Sequence, residues 1–315
     1  MPIVLQPSWV GRRVSVRRVV DRAPDGRLLH ADVVGELAGL DEQTAVIDSR
    51  KGLVEVPVAF VTVARLVPPS TGDELALQSV GARGLRAADT HQLGGWLLRA
   101  DGGFTHRVNS VLPLRQLGVP FEEALRAAHD WYAARGLPLQ FQLPVEARRL
   151  LDAELAERGW LPDAPTHVMA GHVRLSAGQP DPRMDLDAEP DEQWLSLYRG
   201  GAGAGSRARA LLTRHDTVAF AAMRVDGRTV AVGRGAVDDG WLGVMAVEVE
   251  PAYRRQGLAR AVTSALHRWG AAHGAERSYL QVSFDNSAAI ALYERLGYWR
   301  HHDYHYRIEP APEGS

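Results

Sequence analysis

The chain has 315 residues, 45% hydrophobic and 23% charged, a globular balance that at about 150 residues per domain corresponds to two or three domains. Its net charge of −2 argues against a dedicated nucleic-acid or acidic-membrane binder, which needs a concentrated positive field. Cysteine is absent and Lys51 is the only lysine, which excludes disulfides, thiolate nucleophiles and metal–sulfur sites and leaves lysine chemistry a single candidate.

Met1 to Arg13 lack the succession of basic, apolar and small residues that marks a signal peptide. No apolar run approaches the roughly 18 residues of a membrane span. The expectation is a cytoplasmic protein. The first segment reads as all-β: Val14, Val16 and Val19, then Leu28-Leu29 with Val33-Val34, Ala45 to Ile47, Val54 with Val56, and Phe60 to Val63 are short runs of near-alternating polarity. Turn signals at Asp25-Gly26, Gly39 and Lys51-Gly52 separate them. Five strands in about 60 residues predict a small barrel over residues 1–70 that resembles an SH3 fold. Its arginines, Arg12, Arg13, Arg17 and Arg18, form either a solvated strand face or a contact for a protein partner. Pro68 to Gly72 reads as a linker.

Beyond the linker the sequence repeats itself. Shifted by 138 residues, Gly95 falls on Gly233, Asp101-Gly102 on Asp239-Gly240, Pro113 on Pro251, Trp131 on Trp269, Gly136 on Gly274, and Gly159-Trp160 on Gly297-Tyr298. So many coincidences in order predict two copies of one αβ unit, residues 75–180 and 183–310. In the second copy Leu242 to Val249 is a buried strand, and Leu258, Ala261, Val262, Ala265, Leu266 and Trp269 give a helix that Gly270 or Gly274 ends. Ser278 to Ser283 is a strand, Asn286-Ser287 opens a helix that Gly297 stops, and Tyr298 to Ile308 is a final strand.

Between the first of these strands and its helix runs Glu250-Pro251-Ala252-Tyr253-Arg254-Arg255-Gln256-Gly257-Leu258-Ala259. Glycine at 257 and a small residue at 259 let backbone approach a ligand closely, at a helix start where free amides and the positive dipole end favour an anion such as pyrophosphate. The run Arg254-x-x-Gly257-x-Ala259, followed by Asn286 and by Ala291-Leu292-Tyr293-x-x-x-Gly297-Tyr298, resembles the GNAT (GCN5-related N-acetyltransferase) superfamily over about residues 185–308. The whole layout is similar to an actinobacterial group of tandem GNAT proteins, some described as N-acetylglutamate synthases. The fold expected is therefore α/β: two GNAT units with mixed central sheets, preceded by the small β-barrel.

That resemblance implies acetyl transfer from acetyl-CoA straight to an amine, with no covalent enzyme intermediate and no metal. It implies that the backbones of Val247 and Val249 pair with the pantetheine arm, that Arg254, Arg255, Gln256, Gly257, Leu258, Ala259 and Arg260 hold the pyrophosphate, and that Asn286 contacts the arm. Tyr293 matches the family's general acid. For the base, Glu248 faces the acceptor if the strand alternates, Glu250 and Asp285 are other carboxylates near the site, and a water chain is the alternative. The acceptor is expected to be a small amino acid such as glutamate, held by Arg234, with Arg199, Arg207 and Arg209 as further anchors and Gly200 to Gly205 as a loop over it. A protein amine is the alternative acceptor, and a non-catalytic acyl-CoA sensor the alternative function. The first copy has Pro120 within its loop and Leu155 where the second has Tyr293, so it is expected to have lost the cofactor. His301, His302 and His305 invite a metal, but lie on both faces of a strand without a clustered acid and are read as ordinary strand polarity.

Overall fold

The computed structural model describes residues 5–173, 181–198 and 205–310, and Arg199 with Gly200 to Ala204 lies outside them. The chain divides into two compact units, residues 1–70 and 71–315. In the first, β1 (Arg13–Arg22), β2 (Leu28–Leu40), β3 (Thr44–Ser49), β4 (Gly52–Pro57) and β5 (Val61–Leu66) form an antiparallel sheet in the order β4-β3-β2-β1-β5. Val14, Val16, Leu37, Ile47 and Val56 are fully enclosed beside Trp9 and make its core. The five expected strands are present, with one correction: Gly39 is not a turn. It lies inside β2 at a register slip, and the chain reverses after it because Asp41 Oδ1 accepts from the amides of Gln43 (2.8 Å) and Thr44 (2.7 Å).

The second unit begins with α1 (Thr71–Gly84), so the last residues of the expected linker are helical. Asp73 and Glu74 in its first turn suit the positive helix end. A three-stranded sheet follows, β6 (Asp89–Leu93), β7 (Trp96–Ala100) and β8 (Leu112–Pro113), then α2 (Phe121–Ala133), β9 (Gln140–Pro144), α3 (Arg149–Glu157) and β10 (Leu161–His172). After it come β11 (Met184–Asp187), α4 (Glu192–Leu197), α5 (Ser206–Thr213), β12 (Val218–Val225), β13 (Arg228–Asp238) and β14 (Trp241–Val249). Next are α6 (Leu258–Ala272), β15 (Arg277–Ser283), α7 (Ser287–Arg295) and β16 (Trp299–Ile308).

The 138-residue shift carries α3 onto α7 end for end and the start of β10 onto the start of β16. The strand order of the large sheet is β11-β12-β13-β14-β15-β10-β16-β9. The last strand of each copy therefore lies beside the penultimate strand of the other: β10 pairs with β15 and β16 with β9, and the two last strands pair with each other, all antiparallel. On one face α6 and α7 bury Val262, Leu266, Tyr293 and Leu296 against Leu280 and Val282 of β15. On the other, α1 packs Leu77 and Val80 against Val168, Tyr279, Tyr304 and Tyr306. These two layers set the two sides of the site.

Candidate active site

Strands β14 and β15 are parallel neighbours, yet they pair at three positions only: Trp241 with Arg277, Leu242 with Ser278 and Gly243 with Tyr279. From Val244 onward they part. The cause lies in β14, where Ala246 adopts φ +55° and the register with β13 slips between Val232 and Arg234. An inserted residue of this kind bends and twists its strand. It also resets the alternation of side chains. Leu242 and Val244 pack in the core beneath α6 before the bulge, and Val247 and Val249 pack there after it. Glu248, across from Val232, consequently falls on the α1 side, as does Met245.

The loop leaving β14 reaches α6 through two left-handed residues, Arg255 (φ +62°) and Gly257 (φ +82°). Gly257 is the N-cap of α6, and no side chain caps that helix, so its first amides are left for another acceptor. A Cβ built on Gly257 would meet nothing within 4 Å. Glycine is needed here for its backbone angle, and the space above the amides is open. Arg254 Nε donates to the carbonyl of Val249 at 3.1 Å and ties the loop to the strand; Arg255, Gln256 and Arg260 are exposed beside it, while Leu258 turns into the core.

Helix α7 starts at Asn286, whose Oδ1 accepts from the amide of Ala289 at 3.1 Å. Two turns on, Tyr293 is 7% exposed and lies edge-on to Tyr298 with ring centres 5.6 Å apart. Among the described residues its hydroxyl makes no hydrogen bond, and burial pushes the phenol up to about 12. The group therefore carries its proton at neutral pH. Tyr298, in turn, spans two elements: its hydroxyl lies 2.6 Å from His267 Nε2 on α6 and 2.6 Å from Ser278 Oγ on β15. His267 Nδ1 is 2.9 Å from the carbonyl of Val173, so its proton sits there and Nε2 accepts from Tyr298.

Comparison with known proteins bears on the chain as a whole. Residues 71–307 match the family described as "Probable histone acetyltransferase Rv0428c C-terminal". The chain is 31% identical, over 96% of its length and 97% of the relative's, to a Mycobacterium tuberculosis protein named "Probable histone acetyltransferase Rv0428c". It is also 29% identical to the "Uncharacterized N-acetyltransferase YobR" of Bacillus subtilis, over 69% of this chain and 91% of that one. Among solved structures, a GCN5-related N-acetyltransferase from Kribbella flavida superposes with a TM-score of 0.59 at 20% identity, covering 76% of this chain and 96% of the other. This chain belongs to the Rv0428c family of GNAT acetyltransferases. It is an acyltransferase, and the mixed α/β GNAT fold expected from the sequence is borne out.

The acetyltransferase differs from expectation at the acceptor anchor. Arg234 was to meet the substrate, but it is fully enclosed: Nε donates to the carbonyl of Leu212 at 2.7 Å, and Nη1 lies 3.1 Å from the carbonyl of Gly84 and 2.9 Å from Met245 Sδ. It ties α1 and α5 to β13 rather than facing solvent. Arg207 donates to the carbonyl of Gly102 at 2.7 Å, and Arg209 is engaged by Glu192 at 2.6 Å. Of the other carboxylates considered, Glu250 is paired with Arg228 at 2.7 Å, and Asp285 is exposed in the turn before α7. Of the three histidines of β16, two meet and the third is apart. His301 and His302 meet each other at 2.7 Å, His302 also meets Gln78 at 2.8 Å, and His305 meets Asp152 at 2.7 Å. A chain of polar contacts absent from the sequence reading runs from Arg107 Nε to Tyr304 Oη (3.4 Å) and on to Gln281 Oε1 (3.1 Å). Its members come from three distant segments, and position 107 has methionine as its repeat counterpart, so neither spacing nor symmetry marks it.

Proposed function

We propose that this GNAT protein moves an acetyl group from acetyl-CoA to a primary amine at the splay between β14 and β15. The observation carrying the reading is the splay itself: from Val244 on, the edge of β14 has no partner in β15, and it leads directly to the uncapped amides of α6. A pantetheine arm pairing with Val247 and Val249 would lie there like an added strand. Its pyrophosphate would sit on the loop Arg254 to Arg260, with Asn286 beside the arm. When bound, acetyl-CoA supplies an acyl thioester. Tyr293, protonated and enclosed, is suited to give its proton to the sulfur as the amine nitrogen bonds to the carbonyl carbon and the C–S bond breaks. Glu248 is read as taking the proton the amine loses, directly or through water; its position on the opposite face from Val247 and Val249 supports this.

The unit 71–315 is read as two GNAT copies, 75–180 and 183–310, with only the second competent. Pro120 and Leu155 support this, since the first copy lacks an amide donor in its loop and a phenol in α3. The five-stranded unit of residues 1–70 is read as SH3-like and as the part that would meet a protein partner. The acceptor is read as a small amino acid, glutamate being the best single choice; a protein amine is the second reading, favoured by the name of the mycobacterial relative. A thiol-release assay with acetyl-CoA, free amino acids and a lysine-rich peptide tests both. Release with the amino acids alone supports the first reading, and release with the peptide alone supports the second. Tight acetyl-CoA binding with no release from any amine would make the protein an acyl-CoA sensor.

A further inference from the structure

The first copy reaches into the splay of the second through one short turn. The 3-10 turn His106–Val108 sits on the α1 side, where Phe104 and Val108 pack with Met245 of β14, at the point where β14 leaves β15. From there Arg107 extends to Tyr304, and through Tyr304 to Gln281, which lies two residues past the last paired residue of β15. Arg107 therefore spans the mouth of the splay, on the side opposite α6 and α7. Its guanidinium is mostly enclosed, with Tyr304, Tyr306 and Tyr198 around it. Among the described residues no carboxylate pairs with it, whereas Arg83, Arg135, Arg158, Arg209 and Arg214 each have one.

Two more donors nearby are unsatisfied. Arg234 Nη2 and Tyr279 Oη are buried without a partner, Tyr279 being the residue at which the strands part. Apart from Glu248, read as the base, and the Gln281 oxygen that accepts from Tyr304, this side of the site presents donors and positive charge. An enclosed guanidinium without a counter-ion is costly, and its planar fork matches a carboxylate.

We propose that Arg107, contributed by the first copy, binds the carboxylate of the acceptor, so that the substrate class is a small amine bearing a carboxylate near its amino group. This assignment rests on the acetyl-transfer reading for the identity of the site, and refines it. The same charge disfavours a lysine-rich peptide, whose neighbouring cations would be brought against Arg107.

The test uses the full chain and matched probes: L-glutamate, L-alanine and L-leucine, each against its α-carboxamide, with a lysine-rich peptide alongside. Thiol release gives kcat/KM, and calorimetry gives carboxylate binding with and without coenzyme A. The expected result is a preference for each acid over its amide of about tenfold to a hundredfold, the worth of one charged hydrogen-bonded pair. In Arg107→Gln the preference collapses towards one, and in Arg107→Lys it is partly restored. A role confined to folding would lower acid and amide together and leave their ratio in place. Equal use of acids and amides by the native protein, an unchanged ratio in Arg107→Gln, preference for the peptide, or no carboxylate binding with or without coenzyme A would each overturn the assignment. Failure to bind acetyl-CoA would instead overturn the acetyl-transfer reading, and the carboxylate titration of the unliganded protein would still decide for or against Arg107.

Discussion

Tyr293 has a raised phenol pKa, no hydrogen-bond partner among the described residues and a place in the layer beside the splay. These properties fit an acid that is discharged once per turnover. Tyr293→Phe removes one oxygen without changing the packed ring, so turnover should fall by about tenfold or more while acetyl-CoA affinity stays nearly constant. Unchanged turnover under conditions where chemistry limits the rate would remove Tyr293 from the mechanism. Gly257→Ala tests the loop: with φ +82° the new methyl meets no neighbour but forces a backbone angle that costs about 1 kcal/mol or more. Coenzyme A affinity should drop severalfold in calorimetry, with the melting temperature lowered only slightly. Both residues are proposed from a motif that fixes them along the chain. Arg234 was misplaced for a readable reason: Val230, Ala231, Val232 and Ala236 are all buried, and the middle of such a strand has no wet face. Arg107 is not marked along the chain, because the contacts that single it out, Tyr304 and then Gln281, come from distant segments.

At the scale of elements, α6, α7 and the flanking strands followed their apolar periods closely, and the helix stops at Gly274 and Gly297 follow from left-handed glycines at both. The bulge in β14 did not announce itself, since Ala246 is an unremarkable residue and only the pairing with β13 shows the slip. The link among α6, β15 and Tyr298 makes stability depend on pH. Burial pushes His267 down to about 4, against about 6.5 in an unfolded chain. Between those values the unfolded state holds a proton that the native state does not. Stability is therefore fully present above pH 6.5 and lost as pH falls towards 4, by roughly 1.4 kcal/mol per pH unit from this group. Thermal melts across that window should show the decline, and a flat profile would mean that His267 is charged in the native state. Tyr298→Phe leaves His267 Nε2 and Ser278 Oγ short of a partner and should cost about 1–3 kcal/mol at neutral pH, read as a lower denaturation midpoint.

For the whole molecule, the repeat was visible in the sequence, but the exchange of last strands was not, because a 138-residue offset says that two units exist and not which strand each lends. The exchange has a direct experimental consequence. In a fragment ending at residue 173, β10 would lose both its neighbours, β15 and β16, and β9 would keep only the bridge from Phe141 to Val111. Such a fragment of residues 71–173 should be unfolded or aggregated by circular dichroism and size exclusion, and co-expression with residues 174–315 should rescue it. A monomeric, cooperatively melting fragment would show that the copies fold independently.

The arrangement of β9, β10, β15 and β16 is that of a domain-swapped homodimer written into one polypeptide. A gene encoding two such copies cannot shed either one, because the surviving copy would keep an open sheet edge and a strand with nowhere to go. The strands of the copy read as having lost its cofactor thus complete the sheet of the other. On the proposal above, that copy also lends the turn carrying Arg107 to the site of the other.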